Sequence, residues 1–152
     1  MPYNRKFFLN LKSDVISLCI SDHNEQHVLD SFDPNEPAAS FNLKQLFNLA
    51  KALNSKAPKI EVNIPENLLK NETLITNKPI SNNEAVEIIN KRNTENKSGI
   101  ISLNIEGIGN RATSITYIQI SLINEVKEFV EKAGFIITRF NIGRYSFLNK
   151  NT

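Results

Sequence analysis

Three runs of strand-forming residues fall within the first 33 positions, separated only by short polar turns. A chain that begins this way builds an antiparallel meander before its first helix. Phe7–Leu11 is the first run and Lys12-Ser13-Asp14 a turn; Val15–Ile20 is the second run, Asp22–Glu25 another turn, and Gln26–Phe32 a weaker third run. Asp33-Pro34-Asn35-Glu36-Pro37 then ends the pairing, because proline has no N–H to give a ladder.

Beyond the meander the pattern alternates between helix and strand. Ser40 is a candidate N-cap for a helix reaching about Asn54, with Leu43, Leu46, Phe47, Ala50 and Leu53 on one face. Ile60–Ile64 alternates apolar and polar as a strand does, between Pro58 and Pro65. Residues 66–80 read as irregular, with Leu74-Ile75 and Pro79-Ile80 as short extended pieces. Ser81-Asn82-Asn83-Glu84 has the form of a capping box, and the helix it starts should fade near Arg92, before a polar loop over Asn93–Lys97. Gly99–Ile105 and Ala112–Ile120 predict a hairpin linked through Glu106–Asn110, whose glycines suit a turn. Ser121 is expected to cap a last helix with Leu122, Val126, Phe129, Val130 and Ala133 as its buried stripe. Gly134 stands where a left-handed residue would stop it, Phe135–Phe140 returns to strand, and the chain after Gly143 is expected to fray.

The predicted order is βββ-α-β-(irregular)-α-ββ-α-β, an α/β (α+β) mixed sheet flanked by helices. This order resembles the ribonuclease H-like and actin-like half-domains. At 152 residues and 17.2 kDa the chain has the size of one domain. We expect that domain over residues 1–145, with a small inserted subdomain at about 66–110 and a disordered tail at 146–152.

Composition removes several functional classes. Lys+Arg 18 against Asp+Glu 16 leaves a charge of +2, too near balance to imply nucleic acid or a membrane surface. One cysteine, Cys19, makes neither a disulfide nor a cysteine-based zinc site. No run of about 18 apolar residues is present to span a bilayer. The apolar stretch behind the basic pair Arg5-Lys6 breaks at Asn10 and Lys12, too early for a signal peptide, so a soluble cytoplasmic domain is expected. The 22 asparagines and 19 isoleucines are dispersed, which reads as AT-rich codon bias rather than a functional tract.

Chemical motifs are sparse. His23 and His27 would converge on a metal only in a helix; in a turn running into a strand they do not, and no metal or other cofactor is expected. A ribonuclease H-type nuclease gathers carboxylates around two metal ions, but the first strand carries none. Asp14, Glu61 and Glu106 would have to be brought together from distant places. Phosphate-wrapping loops use glycine so that backbone amides can approach the anion. The corner Asn10-Leu11-Lys12-Ser13-Asp14 has no glycine, which leaves Lys12 and Ser13 as the candidate nucleotide-binding residues of a degenerate loop, or as an ordinary hairpin turn. Gly107-Ile108-Gly109 lacks the strand–glycine–helix context of a dinucleotide site and reads as a hairpin link. Cys19 lies mid-strand in an apolar run as a small core residue, and no catalytic residues are assigned.

The stretch Ile60-Glu61-Val62-Asn63-Ile64-Pro65 resembles the strand ending in proline that precedes the inserted subdomain of PilM-like and GspL-like proteins. These are the actin-like cytoplasmic components of type IV pilus and type II secretion machines. Their following helix, hairpin, helix and Ala-Gly-Phe step resemble Ser81–Arg92, Gly99–Ile120, Ser121–Ala133 and Ala133-Gly134-Phe135 leading into Ile136–Phe140. The likeness covers about residues 5–142. The missing phosphate-loop glycine is similar to the GspL-like branch. The chain also stops where a second actin-like half would begin, so one wall of a nucleotide pocket would be lacking. The resemblance implies a non-catalytic scaffold at the cytoplasmic face of an inner-membrane pilus or secretion assembly. Its partners would be proteins of that assembly, met near the inserted subdomain by β-augmentation or groove binding, with membrane association only through them. The alternatives are a ribonuclease H-like metal-dependent nuclease and a free-standing dimerising adaptor working as a homodimer.

Overall fold

The first three strands of the computed structural model, β1 (Lys6–Leu11), β2 (Ile16–Asp22) and β3 (Glu25–Phe32), form the expected meander. The structure describes residues 6–22, 25–53, 58–92 and 99–149. The expected helix end at Asn54, His23 and the polar loop over Asn93–Lys97 lie outside those residues. The remaining elements are α1 (Ala39–Leu53), β4 (Lys59–Ile64), a single 3-10 turn over Glu66–Leu68, β5 (Lys70–Ile75), α2 (Asn82–Arg92), β6 (Ile100–Ile108), β7 (Ala112–Gln119), α3 (Ile120–Lys132), β8 (Ile136–Ile142) and β9 (Tyr145–Leu148). They divide into two compact units, Met1–Glu66 with Lys127–Thr152, and Asn67–Val126.

The first unit holds a six-stranded mixed sheet in the order β3-β2-β1-β4-β8-β9. β1, β4 and β8 are mutually parallel, while β2, β3 and β9 are added antiparallel. Alternation sorts the two faces. Phe7 and Leu9, Leu18 and Ile20, and Ile60, Val62 and Ile64 are buried on one of them, and the intervening residues are mostly polar. Leu43, Leu46 and Ala50 are the buried side of α1. Phe47 meets Phe135 edge-on with ring centroids 5.4 Å apart.

Ser40 is not the cap of α1. Asn35 N–H binds Asp33 Oδ1, Glu36 N–H binds the Asp33 carbonyl and Ala39 N–H the Glu36 carbonyl, so the backbone is already winding before Ser40. The Ala38 carbonyl takes the first helical bond, from Asn42 N–H. Ser121 is likewise inside α3, which starts at Ile120 directly from β7. In α3, Ile123 and Val130 are buried, as is Ala133 just past its end, whereas Leu122, Val126 and Phe129 are only partly so.

The expectation of a frayed tail is corrected over 145–149. Gly143 (φ +58°) turns the chain, β9 pairs with β8, and Phe147 stacks on buried Phe140 at 5.3 Å. Asn149 is buried and binds the Thr138 carbonyl through its N–H and the Ile137 carbonyl through Nδ2.

The second unit is a three-stranded antiparallel sheet, order β5-β7-β6, carrying α2. Leu74, Ala85, Ile89, Ile100, Ile115 and Tyr117 are its core. β5 replaces the irregular segment expected before Pro79, and the turn of the β6–β7 hairpin is confined to Gly109–Arg111, since Glu106–Ile108 stay paired. This unit runs to Val126, past the 66–110 span, because β7 pairs with both β5 and β6 and cannot be separated from either. The capping box forms as expected: Glu84 N–H binds Ser81 Oγ at 3.2 Å, and Ser81 N–H reaches Glu84 Oε1 at 3.4 Å.

Candidate functional site

In a sheet with parallel strands, ligands bind beyond the carboxyl ends of those strands. β1, β4 and β8 each place an asparagine near that end, on the face away from the apolar core: Asn10, Asn63 and Asn141. They stand side by side. Asn63 donates to Asn10 Oδ1, and Asn141 Nδ2 donates to Asn63 Oδ1 at 2.9 Å and to Glu61 Oε1 at 3.0 Å. The row extends to both sheet edges through Ser17 and Ser31 on one side and Ser146 on the other. Two residues back on the same face, Glu61 Oε2 is 3.3 Å from Lys6 Nζ, and Arg139, paired with Glu61, donates to Ser146 Oγ at 2.9 Å.

Amides in this arrangement satisfy one another and carry no net charge. A two-metal nuclease needs several carboxylates at such a place. Here the central groups are neutral, and the nearest acid, Glu61, is already engaged by a cation and an amide. Asp14 lies in the exposed β1–β2 turn, and Glu106 belongs to the other unit, exposed on β6. Among the described residues no group of three or more His, Cys, Asp or Glu is gathered as a metal site.

Lys12 and Ser13 form the β1–β2 corner, just past the carboxyl end of β1. Lys12 N–H closes the turn on the Val15 carbonyl at 3.0 Å, and the Ser13 carbonyl accepts Asn35 Nδ2 at 3.0 Å. The corner is therefore braced by the segment entering α1. His27 lies on β3 with its Nε2 3.6 Å from Glu25 Oε2. Cys19 is buried, and burial raises its thiol pKa above the usual value, with the nearby Lys12 charge opposing the shift. Asn10 Nδ2 lies 3.3 Å from its sulfur.

The second unit carries a feature that reading the sequence missed. Ile75 of β5 and Ile108 of β6 both pair with Ala112 of β7, so the three form one row across the sheet. Their ladder neighbours Leu74 and Thr113 turn to the buried side, which puts the row on the outer face. Ile75 is 83% exposed and Ile108 53%. The run Thr73-Leu74-Ile75-Thr76 held the signal for β5, but Pro79 and the polar residues around it obscured the strand.

The chain is similar in structure to the cytoplasmic domain of EpsL, an inner membrane component of the type II secretion system of Vibrio cholerae. The TM-score is 0.56 at 11% identity, covering 91% of this chain and 57% of that one. It is also similar to the PilM–PilN type IV pilus biogenesis complex, with a TM-score of 0.52 at 10% identity, covering 93% of this chain and 48% of the other. A Bacteroides thetaiotaomicron protein of actin-like ATPase fold and unknown function gives 0.44 at 16% identity, with 89% and 52% covered. The chain thus spans about half the length of the solved chains it matches. No protein-family model and no curated protein matches the sequence. The fold is mixed α/β and actin-like, of the kind expected from the sequence resemblance. Among the described residues no helix is long and apolar enough to cross a membrane.

Proposed function

We propose that this chain is a non-catalytic scaffold domain that binds partner proteins at the cytoplasmic face of an inner-membrane pilus or secretion assembly. The observation that carries the proposal is the solvent-facing row Ile75–Ala112–Ile108 on the inserted unit. Apolar side chains set side by side on an exposed sheet face form the kind of contiguous patch that suits a partner surface. The likeness to a secretion component and a pilus complex supplies the class of partner. The amide row supports the non-catalytic part, since mutually satisfied amides supply neither a nucleophile nor a proton-transfer group.

Lys12 and Ser13 keep one ammonium and one hydroxyl at the corner where a phosphate would be wrapped. In this reading they brace a hairpin and do not hold nucleotide; titration with Mg–ATP should show no saturable binding.

The test is co-purification of the chain with the inner-membrane components of its own assembly, wild type against Ile75→Lys/Ile108→Lys. Retention by wild type and loss by the variant is the expected result. No association of wild type, under conditions where the rest of the assembly forms, overturns the proposal. A dimer of this chain, dispersed by the same variant in sedimentation, would assign the row to a second copy instead.

A further inference from the structure

Among the described residues β3 ends the six-stranded sheet, and no strand pairs with its outer side, which carries backbone N–H and C=O groups. Edge strands are usually guarded by charged side chains, above all lysine, by proline, by bulges or by being very short. β3 has no lysine or proline, is eight residues long, and exposes six of them, Val28 to 64%; its guards are the acids Glu25 and Asp30 and one bulge. Its one irregularity is a bulge at Leu29, between the Leu18–Asp30 and Cys19–Val28 pairs. Beside its second half, on the helix side, lies a cleft of about 540 Å³ lined by Asp30, Phe32, Asp33, Glu36, Asn42 and Gln45.

Charge decides what such an edge can receive. Between Lys12 and Lys44 the chain has six carboxylates (Asp14, Asp22, Glu25, Asp30, Asp33 and Glu36) and no lysine or arginine, although its net charge is +2. Among the described residues, the three acids of the cleft have no lysine or arginine partner. Two copies of this edge would bring like charges together, so edge-to-edge pairing of the chain with itself is disfavoured. A basic strand meets both the unpaired backbone and the complementary charge.

We propose that the outer edge of β3 accepts an extended lysine- or arginine-bearing segment of a partner protein as a seventh strand, one cationic side chain entering the cleft beside Asp30, Asp33 and Glu36. β3 belongs to the first unit and the isoleucine row to the second, and the proposal does not depend on that row having a partner.

The test uses the purified chain and a blocked peptide of about nine residues alternating lysine with valine, so that every lysine points to one side of the strand. A control peptide carries N-methyl groups on alternate residues, which keeps the charge and removes the donors. Expected results are saturable binding, slowed amide exchange in β3, and about tenfold weaker binding both of the control peptide and to the Asp30→Asn/Asp33→Asn/Glu36→Gln variant. Ile75→Lys should bind the peptide as wild type does, which separates this result from the scaffold test. Absence of saturable binding overturns the proposal. Equal binding of the N-methylated peptide overturns it too, because attraction of charge alone would then suffice. Should the triple variant fail to fold, the comparison of the two peptides on wild type still decides.

Discussion

Replacing Gly134 by alanine should destabilise the first unit more than any other glycine-to-alanine change between elements. The residue ends α3 at φ +112°, outside the range an L-residue adopts without strain, which costs about 1–3 kcal/mol. A Cβ there would lie 2.8 Å from Phe47 Cζ, 2.9 Å from Cε2 and 3.0 Å from Cε1. The ring would have to retreat by roughly 0.6 Å to regain ordinary contact, and overpacking of this kind costs about 1–3 kcal/mol. Phe47 is not free to move: its ring meets Phe135 edge-on, and Lys44 Nζ sits 4.5 Å above its centroid while donating to the Ala133 carbonyl. Together these give a loss of about 3 kcal/mol, or a fall of about 1.5 M in the urea midpoint for a slope near 2 kcal/mol/M. Gly109→Ala is the control, since φ is +65° there and nothing lies within 4 Å of the added carbon; only the left-handed backbone penalty of about 1 kcal/mol applies. Urea unfolding followed by far-ultraviolet circular dichroism reads both. In a Phe47→Leu background, Gly134→Ala should cost about 1–2 kcal/mol less than in wild type. Equal losses at Gly134 and Gly109, or no relief from the shorter side chain, would refute the steric argument.

Three other perturbations test other parts of the structure. Ser81→Ala removes the hydroxyl that caps α2 and should destabilise by about 1 kcal/mol, seen as faster amide exchange in the first turn of that helix. Asn63→Ala leaves Asn10 without a donor and Asn141 without one of its acceptors, with an expected loss of about 1–2 kcal/mol in the same urea assay. Burial holds the folded Cys19 thiol above its ordinary value, so in alkaline solution the unfolded chain loses this proton before the folded chain does. Stability should be unaffected by this group at neutral pH and fall as pH rises past about 9, with the slope absent in Cys19→Ala.

What could be read from sequence was whatever local physics decides. The meander, the alternation of Ile60–Ile64, the capping box at Ser81 and the stop at Gly134 all emerged, because each depends on neighbours a few residues apart. β5 and β9 did not. β5 has weak alternation and gains its place from pairing with β7, some forty positions further on. β9 is four residues long and is held by the stack of Phe147 on Phe140 and by the buried amide of Asn149. The two helix starts were misplaced for a related reason: Asp33–Ala39 and β7 deliver the backbone already wound or already anchored, so neither Ser40 nor Ser121 is needed as a cap. The amide row was hidden most completely. Asn10, Asn63 and Asn141 look like scattered members of an asparagine-rich composition until the parallel register sets them side by side.

That row also acts as a ruler. Sliding any of its strands by one position would turn an asparagine toward the aliphatic layer and strip it of its partners, so alignment is checked at the centre of the sheet. A ruler marked in ion pairs would be read differently in acid or in brine. One marked in amides has no proton to lose across the working range and little for salt to screen, so the strands should keep the same alignment wherever the surrounding medium drifts.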